Sequence, residues 1–460
     1  MFDFSGTYTD QYQLTMAQVY FNKGQRDKTA VFDYFFRKLP FKGGYAIFSG
    51  LENLLDIIEN LRFTDKDLDY LRRQNFDSEF LDYLKNFKFS GTIRAMQEGD
   101  VVFHTVPILQ VEANIIEAQI IETVLLNLLN YQTLIATKSS RIRLIAGEKT
   151  LLDFGLRRAQ GPGGYYASKA AIVGGFGRDF GIPISGTMAH SFIQSYDDEL
   201  EAFRDFAEGR PENCVLLVDT YNTLKSGVPN AITVAKEMES RNQKLLAIRL
   251  DSGDLAYLAK QCRKLLDEAG LEYVKIAASN QLDEYVIRSL EDQKAPIDIF
   301  GVGTNLVIGK PDAALDGVYK LSFSNEKPRI KISESIAKIT LPHRKQVYRV
   351  KDENGYFTGA DAIGLAEEIK ISVMHHPFEP FKQLDISGQH QEALLNPVME
   401  KGKSLIKKRS LKEIAAYSKD QLALLPLEYK RFDNPHIYKI GISEALKQER
   451  DKLIALHKTF

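Results

Sequence analysis

Cysteine is nearly missing from this 460-residue chain, which has only Cys214 and Cys262. Two thiols exclude a disulfide framework and a multi-cysteine metal site, and they fit a reducing compartment. Proline is sparse at 15 residues, and no Pro/Ser-rich linker, low-complexity tract or repeat interrupts the chain, so closely packed domains are expected. An excess of one charge is also lacking. Lys and Arg total 60 against 61 Asp and Glu, a formal net charge of −1, which argues against broad electrostatic binding to nucleic acid or an anionic membrane. No apolar run reaches the ~18 residues of a membrane span, and the opening MFDFSGTYTD has neither a basic n-region nor an apolar h-region. These absences lead to the expectation of a cytoplasmic protein with no nucleic-acid and no membrane partner. What is present is ordinary: 44% apolar residues and 31 glycines, over a length that suggests about two to four domains.

Three stretches follow from patterning. Residues 1–140 are expected to form an N-terminal α/β domain, with helices over 9–24 and 50–62 and strands near 31–36 and 101–111. The run 115–129 (IIEAQIIETVLLNLL) is apolar nearly all round and predicts a buried helix. Residues 141–350 are expected to hold an α/β barrel. Apolar strands at 151–154, 214–218, 245–250, 274–278 and 297–302 alternate there with helices at 231–240, 255–269 and 283–290. The segment 318–350 alternates in the two-residue period of antiparallel strands. Residues 351–460 are expected to be a mixed, mainly helical extension.

Ligands of parallel α/β structures bind at the carboxyl ends of the strands. Asp153-Phe154-Gly155-Leu156-Arg157-Arg158 follows the first strand, and Asp219-Thr220-Tyr221-Asn222 the second. Arg249, Asp251, Ser252, Gly253 and Asp254 surround the end of the third. Ser279-Asn280-Gln281 follows the fourth and Gly301-Val302-Gly303-Thr304-Asn305 closes the fifth. Each is weak alone, because an acid at a strand end is more often a helix cap, as at Asp254. The glycines at 301 and 303 also fall short of a dinucleotide fingerprint, which disfavours a Rossmann dehydrogenase. Together, glycine N–H groups suit phosphate, arginines suit pyrophosphate or carboxylate, and acids suit ribose hydroxyls or a Mg²⁺-bound polyphosphate. The residues therefore point to a phosphorylated, anionic small molecule. His190, in Gly186-Thr-Met-Ala-His-Ser191, follows a strand expected at 182–185. A lone histidine is usually structural. At this edge, with an acid such as Asp219 nearby, it suits a base or a nucleophile that takes a phosphoryl group. No second His or Cys stands at metal-ligand spacing.

Eight segments in order resemble the nicotinate phosphoribosyltransferase family over nearly the whole length. They are Thr9-Asp-Gln-Tyr-Gln-Leu-Thr-Met16, Phe35-Phe-Arg-Lys38 with Gly43-Gly-Tyr-Ala46, Leu134-Ile-Ala-Thr-Lys138, Asp153-Phe-Gly-Leu-Arg-Arg158, Gly186 to Ser191, Leu217-Val-Asp-Thr-Tyr221, Ile248-Arg-Leu-Asp-Ser-Gly-Asp254 and Phe300-Gly-Val-Gly-Thr304. The resemblance implies a type II phosphoribosyltransferase fold, an irregular α/β barrel with an N-terminal α/β domain, working as a homodimer with shared active sites. It implies that nicotinate and phosphoribosyl pyrophosphate give nicotinate mononucleotide and pyrophosphate, with ATP hydrolysis coupled through a phosphohistidine. Mg²⁺ would accompany the polyphosphates, with no tightly bound organic cofactor. His190 matches the phosphorylated residue and Asp219 the carboxylate that orients it. Phe154 and the partner's Tyr12 match the two faces of a pyridine sandwich. Arg157 and Arg249 match the base- and diphosphate-side arginines, and Asp251 the ribose-side acid. Ser279, Asn280, Gly301 and Gly303 fall where the family holds the substrate's 5′-phosphate, Thr304 is a further substrate-binding residue, and Arg37 and Lys138 are anion anchors from the first domain.

Three departures stand out. The family's longer loop between Phe176 and Gly181 is shortened here to Gly177-Arg178-Asp179-Phe180. Asn222 replaces an Asp, and His343 replaces a Gly. The shortened loop keeps two rivals in view, a nicotinamide-specific relative and a non-catalytic paralogue. Arg178 is a candidate substitute for the loop in favouring the acidic base.

Overall fold

The computed structural model describes residues 4–161, 163–177, 188–334, 338–379 and 381–458. The chain forms two compact units, one from Met1–Thr137 with Ala314–Phe460 and the other from Lys138–Ala313.

The first unit is built around the strand Thr29–Phe36, which pairs antiparallel with Gly317–Ser324 on one side and Leu109–Asn114 on the other. Its sequence, TAVFDYFF, is buried almost throughout, as a central strand covered on both faces requires. The single acid in it, Asp33, is buried with Lys345 at 2.8 Å and accepts from Gln110 Nε2 at 2.8 Å. Gly317–Ser324, grouped by sequence with the middle stretch, thus joins the sheet of the N-terminal segment. The strand expected over 101–111 is two, Val101–Val102 and Leu109–Asn114, separated by a turn in which Thr105 takes φ 62°. The buried helix expected at 115–129 is also split. Ile115–Ile120 ends at Ile121, and Glu122–Ala146 follows.

The mainly helical extension is corrected as well. Between Lys345 and Ser404 the chain is strand-rich, and long helices come only at Leu411–Leu424 and Glu444–Lys458. The strand Phe357–Leu365 (FTGADAIGL) is buried on nearly every residue, so no two-residue alternation marks it.

The second unit carries a five-stranded, all-parallel sheet among the described residues. Its order is Thr150–Asp153, Ile299–Val302, Lys275–Ala278, Ala247–Leu250, Val215–Leu217. These are the five strands expected from the sequence. Val215, Ala247, Ala277 and Ile299 pack in one buried cluster on the sheet, with helices such as Val228–Ser240, Leu255–Glu268 and Glu284–Asp292 as the connections. Asp254 accepts from Tyr257 N at 3.0 Å, and Asp283 from Tyr285 N at 3.0 Å and Val286 N at 2.9 Å, so both are helix caps. Because all five strands run the same way, their carboxyl ends lie along one edge. The strand expected at 182–185 lies outside the described residues.

Candidate active site

Arg249 is the hub of that edge. It sits on the third strand in chain order, its side chain 14% exposed, and it has three partners at once. Nε donates to Ser279 Oγ at 2.9 Å, Nη2 donates to Asp251 Oδ1 at 3.1 Å, and the guanidinium lies 5.2 Å from the centre of the Phe154 ring. Ser279 Oγ in turn donates to Asp251 Oδ1. The arginine, the hydroxyl and the carboxylate therefore form a closed triangle in which each group fixes the others.

Phe154 follows the first strand and its N–H donates to Val302 O at 2.8 Å. Its ring lies over the backbone at 301, where a Cβ would come within 2.3 Å of Phe154 Cε2. Glycine at 301 is what lets the aromatic face lie flat. A Cβ at 303 would approach Phe154 O at 3.1 Å, a tight contact on the same residue. Asp153 accepts from Gly155 N at 2.7 Å and Ser168 Oγ at 2.8 Å, which sets the turn that delivers the ring. Arg157 and Arg158 lie just beyond in an exposed single turn, Leu156–Arg158.

His190 opens the short helix His190–Gln194. Its Nδ1 shares a hydrogen bond with Thr220 Oγ1 at 3.0 Å, and its Nε2 lies 3.8 Å from Asp251 Oδ2. Asp219 does not hold the ring directly. Its Oδ2 accepts from Asp251 N at 2.8 Å and Ser252 Oγ at 2.6 Å, so it braces the loop that carries Asp251. Asp219 Oδ1 is buried with no hydrogen-bond partner among the described residues. The groups at the imidazole are thus Thr220 and Asp251. Thr220 stood in the strand-end segment but was given no role, because a hydroxyl beside an acid carries no periodicity or charge signal.

Lys138 has a different environment from the anchor expected of it. It is 1% exposed, its ammonium rests on Glu284 Oε2, and Arg141 Nε meets Glu284 Oε1 at 3.0 Å. Burial pushes the Lys138 pKa down while Glu284 pulls it back up. Asn222 caps the turn Thr223–Gly227 by accepting from Lys225 N at 2.9 Å, a bond a neutral amide makes as well as a carboxylate. Asn280 and Gln281 have φ 83° and 53°, and Gly303 precedes the short helix that starts at Thr304. Arg178, Asp179 and Phe180 of the shortened loop, with Gly186 and Thr187 of the histidine motif, lie outside the described residues. In the other unit, Tyr12 is 52% exposed on the helix Gln11–Asn22, and Arg37 stands 5.9 Å from the centre of the Phe35 ring. His343 there takes φ 72°, the left-handed conformation that suits the family's glycine, and its Nε2 lies 3.5 Å from Glu449.

Comparison with known proteins identifies the family. Residues 7–130 match the nicotinate phosphoribosyltransferase (NAPRTase) N-terminal domain and residues 344–450 the corresponding C-terminal domain. The chain is 44% identical to nicotinate phosphoribosyltransferase of Bacillus subtilis, covering 95% of this chain and 92% of that one. It is 36% identical to the Caenorhabditis elegans enzyme of the same name, over 96% and 92%. The crystal structure of human nicotinic acid phosphoribosyltransferase superposes with a TM-score of 0.85 at 30% identity, covering 97% of this chain and 99% of that one. Nicotinate-nucleotide pyrophosphorylase from Pyrococcus furiosus superposes with a TM-score of 0.71 at 25% identity, over 91% and 95%. The α/β architecture is that of the type II phosphoribosyltransferases. By sequence along nearly its whole length and by fold, this chain belongs to the nicotinate phosphoribosyltransferase family.

Proposed function

We propose that the chain joins nicotinate to phosphoribosyl pyrophosphate in NAD salvage, releasing nicotinate mononucleotide and pyrophosphate. One observation carries the reading: Arg249 touches an aromatic face, a phosphate-side hydroxyl and an acid at the same time. That is the arrangement needed to hold a flat base, a phosphorylated sugar and a leaving diphosphate around one carbon.

The pyridine nitrogen of nicotinate has a free lone pair, so no base is required. It forms a bond to the ribose C1 as the bond from C1 to the pyrophosphate oxygen breaks, through an oxocarbenium-like state. The protein positions the partners and stabilises the separating charge. Phe154 supplies a stacking face worth about 0.5–1.5 kcal/mol, enough to orient the ring but not to lower the barrier greatly. Arg249 is placed for the departing diphosphate, and Asp251 for the ribose side. Mg²⁺ enters with the polyphosphate substrates. Carboxylate oxygens suit such a hard cation, and the unpaired Oδ1 of Asp219 is an acceptor not yet spent.

ATP coupling runs through His190 in this reading. A ring nitrogen takes the γ-phosphoryl group, the bond to the ADP oxygen breaks, and water later cleaves the N–P bond to give phosphate. Asp251, within reach of both Arg249 and His190, links the two reactions. We place the enzyme in the cytoplasm as a homodimer in which the partner's Tyr12 covers the second face of the base. No helix among the described residues is long and apolar enough to cross a membrane.

The test uses nicotinate, phosphoribosyl pyrophosphate and γ-labelled ATP. Wild type is expected to form nicotinate mononucleotide and to take up acid-labile label that His190→Ala lacks. Product without label would remove the coupling, and neither would remove the whole reading. For the shared site, mixed Tyr12→Ala and His190→Ala subunits should regain activity. No recovery after verified exchange would contradict it.

A further inference from the structure

We infer that Asn305, which has no place in the scheme above, is a positioning residue that locks together the two turns assigned to the phosphoribosyl phosphate. The inference rests on the reaction just proposed.

Asn305 is 4% exposed and follows Gly303 by two residues. Its Nδ2 donates to Gln281 O at 2.9 Å and to Leu282 O at 3.1 Å. Those carbonyls belong to the turn after the strand Lys275–Ala278, where Asn280 and Gln281 both adopt left-handed φ, 83° and 53°. Neither residue is glycine. Two consecutive L side chains keep that conformation only where their surroundings impose it.

The flanks of this turn are held by other means. Ser279 is fixed by Arg249 and Asp251, and Asp283 caps the helix Glu284–Asp292. The carbonyls of 281 and 282 between them are held by Asn305. Its two amide hydrogens meet two successive carbonyls, a pairing that neither a hydroxyl nor a carboxylate reproduces. Asn305 is itself rooted on the segment that carries Gly301, Gly303 and Thr304. One buried amide therefore sets the spacing between the Ser279–Asn280 turn and the Gly301–Thr304 turn. Both amide hydrogens of Asn305 are spent on the backbone, so it acts through the turns. It fixes the cradle in which the phosphate lies.

The test is Asn305→Asp, which keeps the size and replaces donors with oxygens facing two carbonyls. Asn305→Ala is made beside it in case the acid does not fold. Calorimetry gives the Kd for phosphoribosyl pyrophosphate, and steady-state assays give the two KM values. Kd and KM for phosphoribosyl pyrophosphate are expected to rise about tenfold with the nicotinate KM within about twofold, while the melting temperature falls because two buried carbonyls lose their donors. Equal rises in both KM values, no change in either, or failure of both variants to fold would overturn the inference. A wild type that binds phosphoribosyl pyrophosphate but forms no nicotinate mononucleotide would remove the proposed reaction, leaving the Kd ratio to judge Asn305. A wild type that does not bind phosphoribosyl pyrophosphate would remove both.

Discussion

Phe154 lies so close over Gly301 that a single added carbon at 301 would sit 2.3 Å from its ring. The aromatic face exists because the fifth strand is bare at that position. Gly301→Ala should therefore lift or rotate the ring while leaving the strand paired. We expect the nicotinate KM to rise about tenfold, the scale of a modest overpacking penalty, and Gly303→Ala to act more mildly. Steady-state kinetics with nicotinate as the varied substrate checks this.

Arg249→Lys tests the hub. An ammonium is a point donor on a flexible stem and lacks the planar fork that reaches Ser279 and Asp251 together while lying by Phe154. We expect kcat/KM to fall about 100-fold with little loss of stability, because the charge is kept and the side chain is of similar size. A loss below tenfold would mean that the forked geometry is dispensable.

Glu284→Gln tests the buried pair behind the site. Lys138, Arg141 and Glu284 are at most 1% exposed, so the neutral amide removes the carboxylate charge that both buried cations face. Breaking such a pair costs about 3–5 kcal/mol, which denaturant unfolding reads directly. Lys138→Met should cost less, because Arg141 still faces Glu284.

Asp67 gives the pH dependence a sign. Burial pushes its pKa up, but donors from Thr7, Thr64 and Ser5 outweigh burial and leave the value below that of an ordinary aspartate. A carboxyl depressed in the folded state stabilises above its unfolded pKa, and that contribution is lost as pH falls through the folded value. Urea unfolding between about pH 5 and pH 2 should show a steeper acid loss in wild type than in Asp67→Asn. Equal slopes would contradict the assignment.

The chemistry-bearing edge of the parallel sheet was legible because short apolar strands ending in Asp153, Asp219, Asp251, Ser279 and Gly303 repeat a pattern that packing imposes. What was illegible depended on which groups pair in space. Lys138 looked like an anchor because a lysine in a motif carries no sign of the buried Glu284 far along the chain. Asp219 looked like the partner of His190, whereas Thr220 and Asp251 flank the ring and Asp219 braces the Asp251 loop. Asn305 stood among the residues at the end of the fifth strand, but its positioning role was not legible, since its two bonds run to backbone carbonyls, which every residue has. The strand Phe357–Leu365 was not singled out because burial on nearly every residue erases the alternation that marks a strand.

The most direct measurement is mononucleotide formation by the wild-type protein from phosphoribosyl pyrophosphate, Mg²⁺ and ATP, with nicotinate or nicotinamide as the base. The account predicts nicotinate mononucleotide from nicotinate, a lower yield when ATP is withheld, and little product from nicotinamide. Preferential turnover of nicotinamide, or no product from either base, would contradict it.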